Sequence, residues 1–243
     1  MVWVKICGTT SLEDAQAAVD AGADALGFIF AESPRRVAPL VARDIVRSLP
    51  ERIEKIGVFV NATAEHICEI VAKVGLTGVQ IHGDDELRLA MSLTTAVGAR
   101  GPLIVMPVFP VGYFGLTGEL LGKRRDILRR SLNIHRVVYD TAAKGKWGGT
   151  GKTWDWAAVV AQPPHLQLVV AGGLTPANVS EAIHATHAWG VDVTTGVECE
   201  PGKKDHEKVR AFVNAAKSTD RWADFRHLMN EFDKRESSRK KKS

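Results

Sequence analysis

Short apolar runs rich in β-formers alternate with helix-periodic stretches along this chain. The runs are VWVKIC (2–7), ALGFIF (25–30), EKIGVFV (54–60), GVQIHG (78–83), LIVMPVF (103–109), RVVYD (136–140), LQLVVAGG (166–173) and GVDVTTG (190–196). Strand starts recur about every 27 residues, and strands separated by helices of this length are parallel βαβ units. Eight such units match a closed (β/α)8 barrel, which typically takes ~250 residues. A doubly wound open sheet is the alternative, but it calls for a glycine fingerprint after the first strand, and KICGTT (5–10) is not G-x-G-x-x-G. The expected fold is therefore α/β, a single (β/α)8 TIM barrel over residues 1–217. An extra C-terminal helix and basic tail are expected over 218–243, where Trp222, Phe225, Leu228, Met229 and Phe232 recur at helical spacing. Local signals mark individual helices. Ser11 reads as an N-cap with Asp14 three residues on and Gly22 as a stop, and Thr175 precedes Pro176 at a first helical position. In the last repeat Val209, Phe212, Val213 and Ala216 form one apolar stripe.

Charge and cysteine usage exclude several classes. Of the 32 Lys and Arg, eight lie in 221–243, against four of the 28 acids, so residues 1–220 carry 24 of each sign. The body is neutral and offers no basic face for nucleic acid. Trp147, Trp154 and Trp156 read as loop and helix packing rather than a base-stacking platform. The closing RKKKS reads as a frayed solvated end, with an anionic partner as the sharper alternative. No apolar run is long enough to span a membrane, and MVWVKICGTT is not expected to act as a signal peptide. Cys7, Cys68 and Cys199 are odd in number and widely spaced, which points to free thiols in a reducing, cytoplasmic setting and away from structural zinc.

Strands covered on both faces should be apolar throughout, so polar residues on them are informative. The first run places Lys5 and Cys7 on one face and the fourth places Gln80 and His82 together. The sixth ends in Asp140, and the eighth carries Asp192 and Thr194. All lie toward the C-terminal ends, where barrels build active sites. Taken alone, His82 reads more readily as a satisfied structural side chain than as a ligand. The loop AGGL (171–174) and the turn TTG (194–196) follow the seventh and eighth strands, where barrels commonly hold phosphate. Gly172, Gly173, Thr194, Thr195 and Gly196 are the phosphate candidates, because glycine lets backbone N–H groups approach a ligand closely. Gly149 and Gly151 of GGTG (148–151) join them; GKWGGTGKT (145–153) lacks the spacing of a nucleotide P-loop.

These motifs together resemble the phosphoribosylanthranilate isomerase family of the tryptophan branch, from residue 3 to about 213. KICGTT, ADALGFIF with SPR (33–35), GVFVN, VQIHG, YDT (139–141), GGTGKTWDW, AGGLTPANV and VDVTTGVE with PGKKD (201–205) carry the likeness. The resemblance implies an Amadori rearrangement of N-(5-phosphoribosyl)anthranilate, with no metal and no cofactor. It implies Cys7 as general base, Asp140 as general acid and Asp192 near the anthranilate end, while His82 stands as a substrate-binding candidate from its place on the fourth strand. The substrate carboxylate falls to Arg35, with Arg36, standing where an aromatic residue is usual, the other candidate. A basic thiol must lose its proton near neutrality, and Lys5 on the same strand face is the candidate cation to lower its pKa. An acidic Asp140 needs its pKa raised. Thr194 and Thr195 replace the usual serines, and Met106 stands where lysine is common.

Two other readings remain. One is a histidine-pathway or dual-specificity phosphoribosyl isomerase. Such barrels use two aspartates, whereas Cys7 holds the first-strand position and VNAT (60–63) has no glycine turn matching AGGL. The other is a non-catalytic phosphate-ligand-binding barrel, for which neither Cys7 nor Asp140 would be needed. The expected partner is a small phosphorylated substrate, with no nucleic acid, no membrane, and a monomeric or homodimeric state.

Overall fold

The computed structural model describes residues 1–83, 85–97, 103–111, 134–143, 146–147, 156 and 166–220. Eight strands form the barrel: β1 (Trp3–Cys7), β2 (Ala25–Ile29), β3 (Glu54–Val60), β4 (Gly78–His82), β5 (Ile104–Val111), β6 (Arg136–Ala143), β7 (Gln167–Val170) and β8 (Gly190–Val193). Each runs parallel to the next, and β8 returns to β1 through Trp3↔Gly190 to Ile6↔Val193, closing the ring without a free edge. Around it lie α1 (Leu12–Asp20), α2 (Pro39–Arg47), α3 (Ala64–Val74), α4 (Glu86–Val97), α5 (Val179–Thr186) and α6 (His206–Ser218). The expected helices after β5 and β6 and the extension helix in 221–236 lie outside the described residues. Among the described residues no helix is long and apolar enough to cross a membrane.

Alternation within the strands sorts the core into two parts. Outward residues such as Val4, Ile6, Leu26, Phe28, Val79 and Ile81 pack under the helices. Inward residues Trp3, Ala25, Ile56, Met106, Val108, Val138 and Val169 fill the lower barrel. Each fully buried Leu, Ile or Phe contributes ~1.5–3 kcal/mol, which offsets the ordering of a ring of long-range contacts. At the N-terminal mouth Arg136 lies over Trp3 and Trp189, with its guanidinium 5.2 and 4.5 Å from their ring centres. It is held there by Glu54 at 2.5 and 3.0 Å and by Gln167 at 2.8 Å. These side chains fill that end, and the cavity lined by Cys7, Asp140 and Asp192 lies at the C-terminal end.

Helix caps behave mostly as expected. Ser11 Oγ accepts the Asp14 N–H at 3.1 Å, and Gly22 leaves α1 at φ 93°. Asp205 caps α6 by accepting from the Glu207 and Lys208 N–H groups. Val209, Phe212, Val213 and Ala216 are the buried stripe of that helix.

The expected runs shift by one to three residues at several ends, and three of the boundary differences shape the last two repeats. The seventh run, expected over 166–173, ends as a strand at Val170, because Gly172 and Gly173 turn at φ 89° and 65°. The eighth, expected over 190–196, ends at Val193, and Thr195–Val197 coil into one 3-10 turn. The helix expected from Thr175–Pro176 begins at Val179 instead. Asn178 explains the delay: its Oδ1 accepts the Thr175 N–H at 2.8 Å and its Nδ2 donates to Gly173 O at 3.1 Å. The side chain thus satisfies a turn that would otherwise need helical bonds.

Candidate active site

The ends of β1, β4, β6 and β8 place polar groups inside the open mouth. Lys5 is wholly buried, and its Nζ lies 2.8 Å from Asp192 Oδ2 and 2.8 Å from Gln80 Oε1. The first partner is its registered neighbour on β8, and the second reaches across from β4. Burial works against the Lys5 charge, but Asp192 and Cys7 outweigh it and hold the pKa above its ordinary value. Because Lys5 takes Gln80 Oε1, the Gln80 amide nitrogen faces His82 Nε2 at 3.2 Å. That nitrogen must then accept, which leaves the imidazole proton on Nδ1. Burial, helped by Lys5, pulls His82 down to about 3, so the ring stays neutral.

Cys7 stands two residues beyond Lys5 on the same face, opposite Gly27 of β2. A Cβ on Gly27 would come within 2.6 Å of Cys7 Sγ and 3.0 Å of Lys5 Cε. Only glycine leaves room for both side chains. Burial pushes the Cys7 thiol up, and Lys5 and Lys204 only partly pull it back. The expected lowering by Lys5 is present, but desolvation exceeds it. From the far wall Asp140 accepts the Thr141 N–H at 2.7 Å. Burial and then Asp192 push its carboxyl up to about 7, against Thr141 and Lys5. Asp192 keeps one oxygen unused: Oδ1 is buried with no hydrogen-bond partner among the described residues.

Cys7, Arg35, His82, Asp140 and Asp192 line one cavity with Gln80. Arg35 enters it from the β2–α2 segment and is already paired, through Nε and Nη2, with Glu198. Arg36 makes a lone bridge with Ile29. Gly172, Gly173, Thr194, Thr195 and Gly196 line the same cavity; Gly149 and Gly151 lie outside the described residues. Glu198, Lys204 and Gly27 were not singled out for roles by the sequence, although the first two sit inside VDVTTGVE and PGKKD. Among the described residues no group of three His, Cys, Asp or Glu is arranged to hold a metal ion.

The loops after β7 and β8 touch at Gly196. A Cβ on Gly196 would drive into the Leu174 carbonyl, a backbone atom that cannot swing aside. Gly196→Ala is therefore expected to lower stability by about 1–3 kcal/mol and to raise the KM for a phosphorylated substrate ~10-fold or more. A thermal melt with steady-state kinetics checks both, and a variant with wild-type KM would remove Gly196 from the phosphate site.

A closed (β/α)8 barrel whose C-terminal cavity is lined by a buried thiol, a protonatable carboxyl and the loops after β7 and β8 has the architecture of a barrel enzyme acting on a small molecule. The model of the N-(5'-phosphoribosyl)anthranilate (PRA) isomerase family matches residues 4–215. The chain is 40% identical over 223 residues to the N-(5'-phosphoribosyl)anthranilate isomerase of Pelobacter propionicus, covering 90% of this chain and 97% of that one. The phosphoribosyl anthranilate isomerase of Thermotoga maritima superimposes with a TM-score of 0.77 at 36% identity, covering 89% of this chain and 99% of the other. A further isomerase structure, in complex with reduced 1-(o-carboxyphenylamino)-1-deoxyribulose 5-phosphate, gives a TM-score of 0.74 at 33% identity, again over 89% and 99%. The chain belongs to the N-(5'-phosphoribosyl)anthranilate isomerase family.

Proposed function

We propose that Asp140 and Cys7 carry the two proton transfers by which this isomerase converts N-(5'-phosphoribosyl)anthranilate to 1-(2-carboxyphenylamino)-1-deoxyribulose 5-phosphate in tryptophan biosynthesis. Asp140 protonates the ribose ring oxygen, the C1–O bond breaks, and the anthranilate nitrogen supplies the electron pair that forms a Schiff base. Cys7 then removes the proton from C2, and the C2–H electrons flow into an enolamine that tautomerises to the ketone. The observation that carries this reading is a buried carboxyl held at about 7, and so able to keep its proton, across one cavity from a buried thiol. Arg35 meets the substrate carboxylate as a guanidinium fork. Asp192 Oδ1 accepts from the substrate, neutral His82 donates through Nδ1, and the loops at Gly172–Gly173 and Thr194–Gly196 hold the phosphate.

The two groups titrate in the opposite order to their duties. The acid must be neutral and the base ionised, yet Asp140 loses its proton at about 7 and the thiol only above its ordinary value. Below 7 both are protonated. Above it one proton is shared, and a constant minor fraction has neutral Asp140 with thiolate Cys7. Thus kcat/KM is expected to rise with pH to about 7, level, and fall only on the alkaline side of the thiol. A decline through pH 7 would mean that the thiol ionises first. Turnover is followed by the fluorescence of freshly generated phosphoribosylanthranilate. Cys7→Ser, which replaces the thiol by a far weaker acid, is expected to lose ~10²–10⁴-fold in kcat with thermal stability retained. Turnover near the wild-type rate would remove Cys7 as the base.

A further inference from the structure

Beside the cavity lies a buried charge cluster of which the steps above use only Arg35. Glu198, just past the 3-10 turn, meets Arg35 with both oxygens: Nε lies 2.9 and 3.0 Å from Oε1 and Oε2, and Nη2 lies 2.7 Å from Oε2. On its other side, Glu198 Oε1 receives Lys204 Nζ at 3.0 Å and the Gly202 N–H at 3.2 Å. Lys204 Nζ also donates to the Cys7 carbonyl at 2.6 Å, and the Lys204 N–H donates to Asp14 Oδ2 at 3.1 Å. The Lys204 side chain is wholly buried, that of Glu198 is 3% exposed, and that of Arg35 is 11% exposed. Burial opposes the Glu198 charge, but Arg35 and Lys204 together hold its carboxyl below the usual range, so it stays ionised.

The geometry leaves one edge of the Arg35 guanidinium open. A guanidinium presents two forks, a side-on edge of Nε and Nη2 and an end-on edge of Nη1 and Nη2. Glu198 occupies the side-on edge. The only other contact made by the guanidinium among the described residues is a long one, from Nη2 to Thr195 Oγ1 at 3.4 Å. The open edge lies beside the cavity that Arg35 lines. A planar carboxylate on the end-on edge would supply the missing hydrogen bonds.

We propose that Glu198 is a positioning residue: by holding the side-on edge of Arg35 it aims the end-on edge at the substrate carboxylate, and through Lys204 it ties that aim to the backbone of Cys7. The proposal rests on Arg35 as the carboxylate ligand. Without Glu198, the arginine must be ordered by the substrate itself, and binding free energy is lost to that ordering. The loss falls on KM, because the carboxylate is gripped alike in the ground and transition states.

The test compares two substrates, N-(5'-phosphoribosyl)anthranilate and the corresponding aniline adduct, which lacks the carboxylate. Kinetics are measured for wild type, Glu198→Gln, Arg35→Ala and the double variant. Glu198→Gln keeps the shape of the side chain and one acceptor oxygen. It is expected to raise the anthranilate KM roughly 10-fold with kcat within about 3-fold, and to leave kcat/KM for the aniline adduct within about 2-fold. In the Arg35→Ala background the same change should add almost nothing, since the two residues act through one contact. The ratio of kcat/KM between the two substrates, taken on one preparation, does not depend on the folded fraction, so it remains valid if the variant is less stable. An equal loss on both substrates, or an effect that adds fully to Arg35→Ala, would overturn the positioning role and make Glu198 a structural tie. If Arg35→Ala itself left the substrate ratio unchanged, the carboxylate assignment would fall, and the proposal with it. The single arginine variant therefore separates the two failures.

Discussion

Asp140→Asn is expected to lose ~10²–10⁴-fold in kcat and, above pH 7, to be more stable than the wild type. Both effects follow from the same burial. Folding moves the Asp140 carboxyl from its ordinary 3.8 to about 7, chiefly by desolvation, with Asp192 adding to it. A raised carboxyl favours the folded state in its neutral form. That favour is fully present below 3.8 and is lost as pH rises through 7, where the folded protein must hold a buried anion. The displacement corresponds to ~4 kcal/mol as an upper bound. Asparagine never ionises, keeps an oxygen for the Thr141 N–H now accepted at 2.7 Å, and so escapes the penalty. The difference in stability between variant and wild type should be small at pH 4, grow through the neutral range and level above about 7. Urea melts at pH 4.5, 6 and 8.5 measure it. A variant less stable than wild type at pH 8.5 would show that the carboxylate is held as a favoured anion, and would sink the assignment of Asp140 as a neutral acid.

What the sequence made legible follows the range of the interaction involved. The barrel was readable because each βαβ unit announces itself within about 27 residues, and because buried strands tolerate no unexplained Lys5, Gln80, His82 or Asp192. Ser11 was a local signal and acts locally. The start of α5 was misread because Pro176 suits a first helical turn, whereas the competing bonds of the Asn178 side chain depend on where Gly173 turns. The direction of the Cys7 shift was hidden for another reason. A lysine two residues away can be seen in the sequence, but the desolvation that outweighs it is a property of the closed barrel. Glu198 was hidden by distance along the chain. Its partner Arg35 is 163 positions away, and Cys7 O, the far end of the same cluster, is 197 from Lys204. Nothing in VDVTTGVE says which cation its last residue will meet. Gly27 belongs to the same class, since its lack of a side chain matters only once β1 and β2 lie in register.

Lys5→Met is expected to damage stability and catalysis together, and a second substitution should separate the two. Lys5 is the wholly buried cation among Asp192, Asp140 and Cys7, and Asp192 Oδ2 has it as a partner at 2.8 Å. Methionine fills similar space but leaves Asp192 as a buried carboxylate with neither oxygen paired. Breaking a buried pair from one side costs about 3–5 kcal/mol. Catalysis suffers by a separate route, because Lys5 is among the groups that hold down both Asp140 and the Cys7 thiol. Its loss lets both rise further, so the thiolate becomes scarcer and kcat/KM should fall ~10²-fold or more at pH 7.5. Adding Asp192→Asn removes the stranded charge and should recover most of the stability, as neutral replacement of both partners of a buried pair commonly does. It should not recover turnover, because the thiol still lacks its cation and the substrate meets an uncharged amide oxygen in place of a carboxylate. Urea melts and kinetics on the single and double variants check the two halves independently. Activity returning in the double variant would mean that Lys5 acts only to neutralise Asp192, and that the ionisation of Cys7 depends on Lys204 or on the substrate instead.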